Sequence, residues 1–115
     1  MFLSYDPVGD ILEVIFDENL HRAKQVAYKL RQGMVLYVSA GRPKPVQLTL
    51  GNYLALMQFP HVKFDGWRKL PASDKKLLKP ILTSPMVSAF LRLDPETGYG
   101  HIASPGMPEI LAIAA

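Results

Sequence analysis

Residues 2–16 read Phe-Leu-Ser-Tyr-Asp-Pro-Val-Gly-Asp-Ile-Leu-Glu-Val-Ile-Phe. Leu12, Val14 and Phe16 alternate with Ile11, Glu13 and Ile15, so this half of the stretch predicts a strand with one wholly apolar face and one mixed face. Asp6-Pro7-Val8-Gly9 before it supplies turn chemistry: Asp accepts from the backbone that follows, Pro presets φ, and Gly is expected to take a left-handed position. With Phe2–Tyr5 extended on the other side, the stretch predicts a β-hairpin. A chain that opens this way is committed to an antiparallel sheet.

The remaining sequence supports that reading outward from the hairpin. Residues 19–33 are ambiguous. Ala23, Val26, Ala27 and Leu30 fit a helix face with Asn19 as cap and Gly33 as stop, while Val26, Tyr28 and Leu30 fit a strand equally well. Met34–Val38 is a short continuous apolar run suited to a strand covered on both faces. Gly41-Arg42-Pro43-Lys44-Pro45 is a turn by composition. Val46, Leu48 and Leu50 alternate with Gln47 and Thr49 as a further strand. Residues 52–60 allow a short helical turn.

His61–Leu70 is expected to form a second hairpin, because Asp65-Gly66 offers the two positive φ values of a tight turn. Ser73 is expected to cap a short helix over about 74–82, with Leu77, Leu78, Ile81 and Leu82 as its stripe and Pro80 ending or kinking it. A strand from Val87 to Leu93, a turn at Asp94–Gly98 and a return through Tyr99 to Ala103 complete the chain. The Phe2-Leu3…Asp6-Pro7 and Phe90-Leu91…Asp94-Pro95 echo reads as the same turn used twice. The expected fold is α+β, mostly antiparallel sheet with one short helix, in a single domain spanning residues 1–115.

Composition bounds the function. In 115 residues the chain is 49% hydrophobic and 20% charged, ordinary for a globular protein, and it has no cysteine. Disulfides and thiolate chemistry are therefore excluded, which fits a cytoplasmic protein. There is neither a basic leader with an apolar run nor a membrane-length apolar stretch, so no signal peptide and no membrane partner are expected. The net charge of +3 is segregated. Residues 1–20 carry −5, residues 21–92 carry +11 and residues 93–115 carry −3. Either the acidic ends pair with the basic middle across the sheet, or the middle presents a basic face to nucleic acid or an acidic protein. The first is the preferred expectation, since an excess of three charges is small for a nucleic-acid footprint.

Tyr5-Asp6-Pro7-x-x-Asp10-x-Leu12-x-Val14 resembles the opening of the YuzE-like bacterial domain of unknown function. Gln32–Val38 and Val46–Leu50 fill the places of that family's second half, so the resemblance covers residues 2–52 and implies a strand at 26–31. The family's acidic second turn is replaced here by Arg42-Pro43-Lys44. Its acidic residue in the last strand is absent at Leu48 and Thr49. Residues 62–111, through Phe64-Asp65-Gly66 and Asp94–Gly98, resemble more faintly a second uncharacterised family. Likeness to partners of small toxins implies an antitoxin-like accessory role.

Chemistry has few anchors. Asp6 and Asp10 are candidate metal or acid–base carboxylates, against turn and strand-start capping. His21, His61 and His101 are spaced 40 residues apart and match no metal-ligand pattern. There is no nucleophile elbow and no phosphate loop, so no cofactor and no metal are expected. Gly41-Arg42-Pro43-Lys44 resembles an AT-hook core but lies between strands. Lys63, Trp67 and Arg68 form the preferred binding surface. On a hairpin Lys63 would oppose Arg68, a like-charge pair that either the chain's own acidic N-terminal segment or a bound anion or partner would relieve. The apolar terminus, Pro108–Ala115, suggests packing on its own domain, with a dimer interface or disorder as the alternatives. The expected function is a self-associating, non-catalytic interaction module. The alternative is an antitoxin-like protein that binds a toxin, nucleic acid or both through the basic middle.

Overall fold

The computed structural model describes residues 1–106; the apolar stretch Pro108–Ala115 lies outside them. The opening hairpin is present: β1 (Phe2–Asp6) pairs antiparallel with β2 (Ile11–Ile15), with Asp6 opposite Ile11. A single helical turn, α1 (Glu18–His21), follows. Its cap is Asp17 rather than Asn19, the Asp17 carboxylate accepting from the amides of Asn19 and Leu20. The ambiguous segment resolves as strand β3 (Gln25–Arg31), so Gly33 closes a strand turn at φ 77° instead of stopping a helix.

β4 (Met34–Ser39) and β5 (Pro45–Gly51) complete a five-stranded antiparallel sheet in the order β1-β2-β5-β4-β3. One face is core: Leu12, Val14, Leu36, Leu48 and Leu50 are buried. The other face is only half-buried, at Ile15, Val35, Tyr37 and Gln47. The expectation that β4 is covered on both faces is therefore corrected. Its apolar run reflects strand propensity at Val35 and Tyr37 as much as burial.

The second half contains α2 (Tyr53–Met57), β6 (Val62–Lys63), α3 (Asp65–Lys69), α4 (Ala72–Leu82), α5 (Pro85–Ser88), β7 (Leu91–Leu93) and β8 (Tyr99–Ile102). The three short strands form a separate antiparallel sheet, β6-β8-β7. One hydrophobic cluster joins the five-stranded sheet to Phe64, Trp67, Leu78, Leu82, Phe90 and Ile102. The mixed α+β class holds, with five short helices among the described residues rather than one. None of these is long and apolar enough to cross a membrane.

Three local expectations are overturned. Residues 61–70 are not a hairpin: β6 pairs with β8, and Asp65-Gly66 opens helix α3 without positive φ. Gly66 is there for contact, since a Cβ at this position would run into the carbonyls of Lys29 and Leu30 on β3. Ser73 does not cap α4, which starts after Pro71 with no side-chain cap; Pro80 is accommodated inside it, three positions before Thr83 closes the helix. Val87 lies in α5, where Pro85 presets the first-turn φ, so the last strand before the turn shrinks to Leu91–Leu93.

Candidate functional site

The Asp6–Asp10 turn is built from side-chain-to-backbone hydrogen bonds. Asp6 Oδ1 accepts from the Val8 amide at 3.0 Å, an Asx turn. The left-handed residue is Asp10, at φ 53°, and not Gly9. Aspartate tolerates that region better than most residues with a Cβ. The twist turns the Asp10 carboxylate onto the start of α2, where Oδ1 accepts from the Leu54 amide at 2.9 Å and Oδ2 from the Ala55 amide at 3.2 Å. The Asp10 carbonyl accepts from the Tyr53 amide at 3.0 Å. Tyr5 donates its hydroxyl to Asp10 Oδ1 at 2.8 Å.

The Leu54 amide, aided by the Tyr5 hydroxyl and the Ala55 amide, holds the Asp10 carboxyl below its usual range. The same hydrogen bond to Asp10 raises the Tyr5 phenol. Both aspartates are thus engaged with backbone donors. Among the described residues no group of three or more His, Asp or Glu side chains is placed to hold a metal.

The Lys63, Trp67 and Arg68 surface is split up by α3. Trp67 is only 1% exposed, and its indole donates to the Pro95 carbonyl at 3.1 Å. Lys63 is exposed on β6 opposite Tyr99. Arg68 is exposed on α3, its stem lying over Gly98, which at φ 77° has no Cβ to obstruct it. Lys63 and Arg68 are therefore not opposed cross-strand neighbours, and the like-charge strain expected between them has no structural basis. The β6–β8 register, with Val62 opposite Gly100, brings His61 and His101 to one depression of about 400 Å³ that also takes in Asp94 and Tyr99. Sequence spacing could not reveal this, because the pairing is set by strand register alone. His21 lies on α1 and does not line this depression.

The two edges of the five-stranded sheet are unlike. On β1 every residue is exposed, and Phe2, Leu3 and Tyr5 are 52%, 37% and 38% accessible. It has no lysine, proline or bulge, the devices that ordinarily blunt a free edge. The β3 edge is irregular between Lys29 and Arg31, and α3 packs against it through Gly66.

Charge follows the same axis. Asp6, Asp10 and Asp17 are taken up by backbone amides. The one ion pair among the described residues is Lys79–Glu96, at 3.3 Å on the surface. That pair joins the acidic C-terminal part to the basic middle, whereas among the described residues the acidic opening makes no ion pair with the basic middle. Four strand spacings of about 4.8 Å separate Asp6 on β1 from Lys29 and Arg31 on β3, beyond the roughly 8 Å reach of charge at physiological salt.

No family model matches this chain, and no curated protein or solved structure matches it at a significant level.

Proposed function

We propose that this protein is a non-catalytic interaction module that pairs with a second copy of itself through β1. The observation that supports it is the contrast between the edges: β3 is irregular and has α3 packed against its Lys29–Leu30 end, while β1 is apolar, unblunted and unpaired on its outer side among the described residues. An exposed strand of this kind is a template for further pairing.

Antiparallel pairing about a two-fold axis at Ser4 is self-complementary. It sets Leu3 opposite Tyr5 of the partner subunit on the core-facing side, and Phe2 opposite Asp6 of the partner subunit on the other. No like charges meet. The resemblance of residues 2–52 to the YuzE-like domain is compatible with this reading, since β1 to β5 span residues 2–51 and the strand it implies at 26–31 falls within β3.

Sedimentation velocity over a concentration series tests the proposal. The wild type is expected to shift from monomer to dimer with rising concentration. Leu3→Lys, which places a charge on the edge without touching a buried position, is expected to stay monomeric with its thermal midpoint nearly unchanged. A wild type that remains monomeric at the highest attainable concentration, or a Leu3→Lys variant that still dimerises, removes the proposal.

A further inference from the structure

Two depressions lie at opposite ends of β3, and both are lined by cations. The first, about 440 Å³, has Lys24, Arg42 and Lys44 around an apolar floor that includes Leu20 and Ala40. Its frame is rigid. The Ala40 amide donates to the Lys24 carbonyl at 3.0 Å, the Ser39 hydroxyl donates to the Arg42 carbonyl, and the Lys44 amide donates to the Ser39 hydroxyl at 3.0 Å. The second, about 340 Å³, has Lys29, Arg31 and Lys69, with Asp65 as its one carboxylate. Here the Nε of Arg31 is buried and has no acceptor among the described residues. None of these six cations has a carboxylate within ion-pairing distance among the described residues.

From this arrangement we infer that the β3 edge binds the phosphodiester backbone of a nucleic acid. Lys24 and Arg31 are seven residues apart, which at a rise of about 3.3 Å per residue is about 23 Å. A duplex presents one phosphate per strand about every 3.4 Å of axis, so such a track meets about seven phosphates of one strand. A single small phosphorylated ligand occupies one depression but does not reach both. Guanidinium and ammonium groups held on a strand edge read phosphate position and not base sequence, so the binding is sequence-independent. β1 and β3 are opposite edges of the sheet, and this binding stands or falls separately from pairing through β1.

Fluorescence anisotropy of a labelled 20-base-pair duplex, titrated at salt concentrations from about 50 to 200 mM, tests the inference. The full chain is expected to bind with a linear log–log salt dependence. Lys24→Ala with Lys44→Ala, and separately Lys29→Ala with Lys69→Ala, are each expected to reduce the slope by about 2, near 0.9 per lost phosphate contact, equally for unrelated sequences. All four lysines are exposed, so folding is not at stake. Lys76→Ala, on α4 and away from both depressions, is expected to leave the slope unchanged.

Three results overturn the inference. The first is no binding at the lowest salt, and the second is slopes that the edge variants do not alter. The third is equal binding of poly-glutamate or displacement by millimolar inorganic phosphate, which would assign the edge to an acidic protein or to a small phosphorylated ligand.

Discussion

Asp10 caps a helix that begins 43 residues later in the chain, its Oδ1 accepting from the Leu54 amide at 2.9 Å. Asn52, the residue in the cap position of α2, sits at φ 54° and makes no side-chain cap bond. Asp10 takes over: its carbonyl and two carboxylate oxygens satisfy the amides of Tyr53, Leu54 and Ala55. Those are three of the four donors that a helix start leaves open. Tyr53 then carries the connection onward, donating its hydroxyl to the Ala103 carbonyl at 3.1 Å beside β8. The hairpin turn and the second half of the chain are thereby joined.

Replacing Asp10 with Ala is expected to lower the thermal midpoint by on the order of five degrees, the scale of a lost helix cap in a domain of this size. Asp10→Asn keeps one acceptor oxygen and should lose less. Circular dichroism melts of the three proteins check the order; equal midpoints would mean that α2 needs no cap from the turn.

The same residue sets an acid limb. Its folded-state pKa lies below the ordinary 3.8, so its contribution is full above that value and is lost as pH falls through the lower folded value. Tyr5 acts in the opposite sense. Its phenol is raised above 10.0, so its contribution is full below 10 and disappears as pH climbs through the higher folded value. Melting midpoints against pH should show a shallower acid limb in Asp10→Asn and a shallower alkaline limb in Tyr5→Phe.

Gly66→Ala is expected to destabilise by about 1–3 kcal/mol, the range of overpacking, because the obstructing atoms are backbone carbonyls of β3 that cannot rotate away. Chemical denaturation measures this. Gly41→Ala serves as the comparison, since a Cβ there meets nothing and the change should be within about half a kcal/mol.

Trp67 is the chain's one tryptophan and is buried, so its native emission should be blue-shifted and move to the red on unfolding. Trp67→Phe leaves the Pro95 carbonyl without its donor and a void beside it, for a loss of about 1–3 kcal/mol. Urea unfolding followed by circular dichroism tests this without relying on the fluorophore.

Trp67 and Gly66 also show where reading the sequence reaches its limit. Alternation is a local property, and it located β2 and β5 because Leu12/Val14 and Val46/Leu48/Leu50 each point to one core. The turn at Asp94–Gly98 was legible for the same reason: Gly98 does take positive φ. Asp65-Gly66 carries an equally strong turn signal, yet a glycine serves a tight turn or a close approach equally well. Only the position of the β3 backbone opposite Gly66 selects the second. The binding surface drawn through Lys63, Trp67 and Arg68 failed with that hairpin, since a helix rotates Trp67 inward while Arg68 stays outside.

The sequence by itself determined an antiparallel α+β chain opening on a hairpin, free of cysteine chemistry, with its acids and bases in separate segments. Tertiary structure alone decided what that separation means. Strand order β1-β2-β5-β4-β3 puts Asp6 of β1 and the cations of β3 at opposite edges, too far apart to neutralise each other. It also leaves the outer side of β1 unpaired among the described residues and packs α3 against one end of β3. Strand neighbours are chosen by which apolar faces share a core, a long-range choice that no local pattern of residues records.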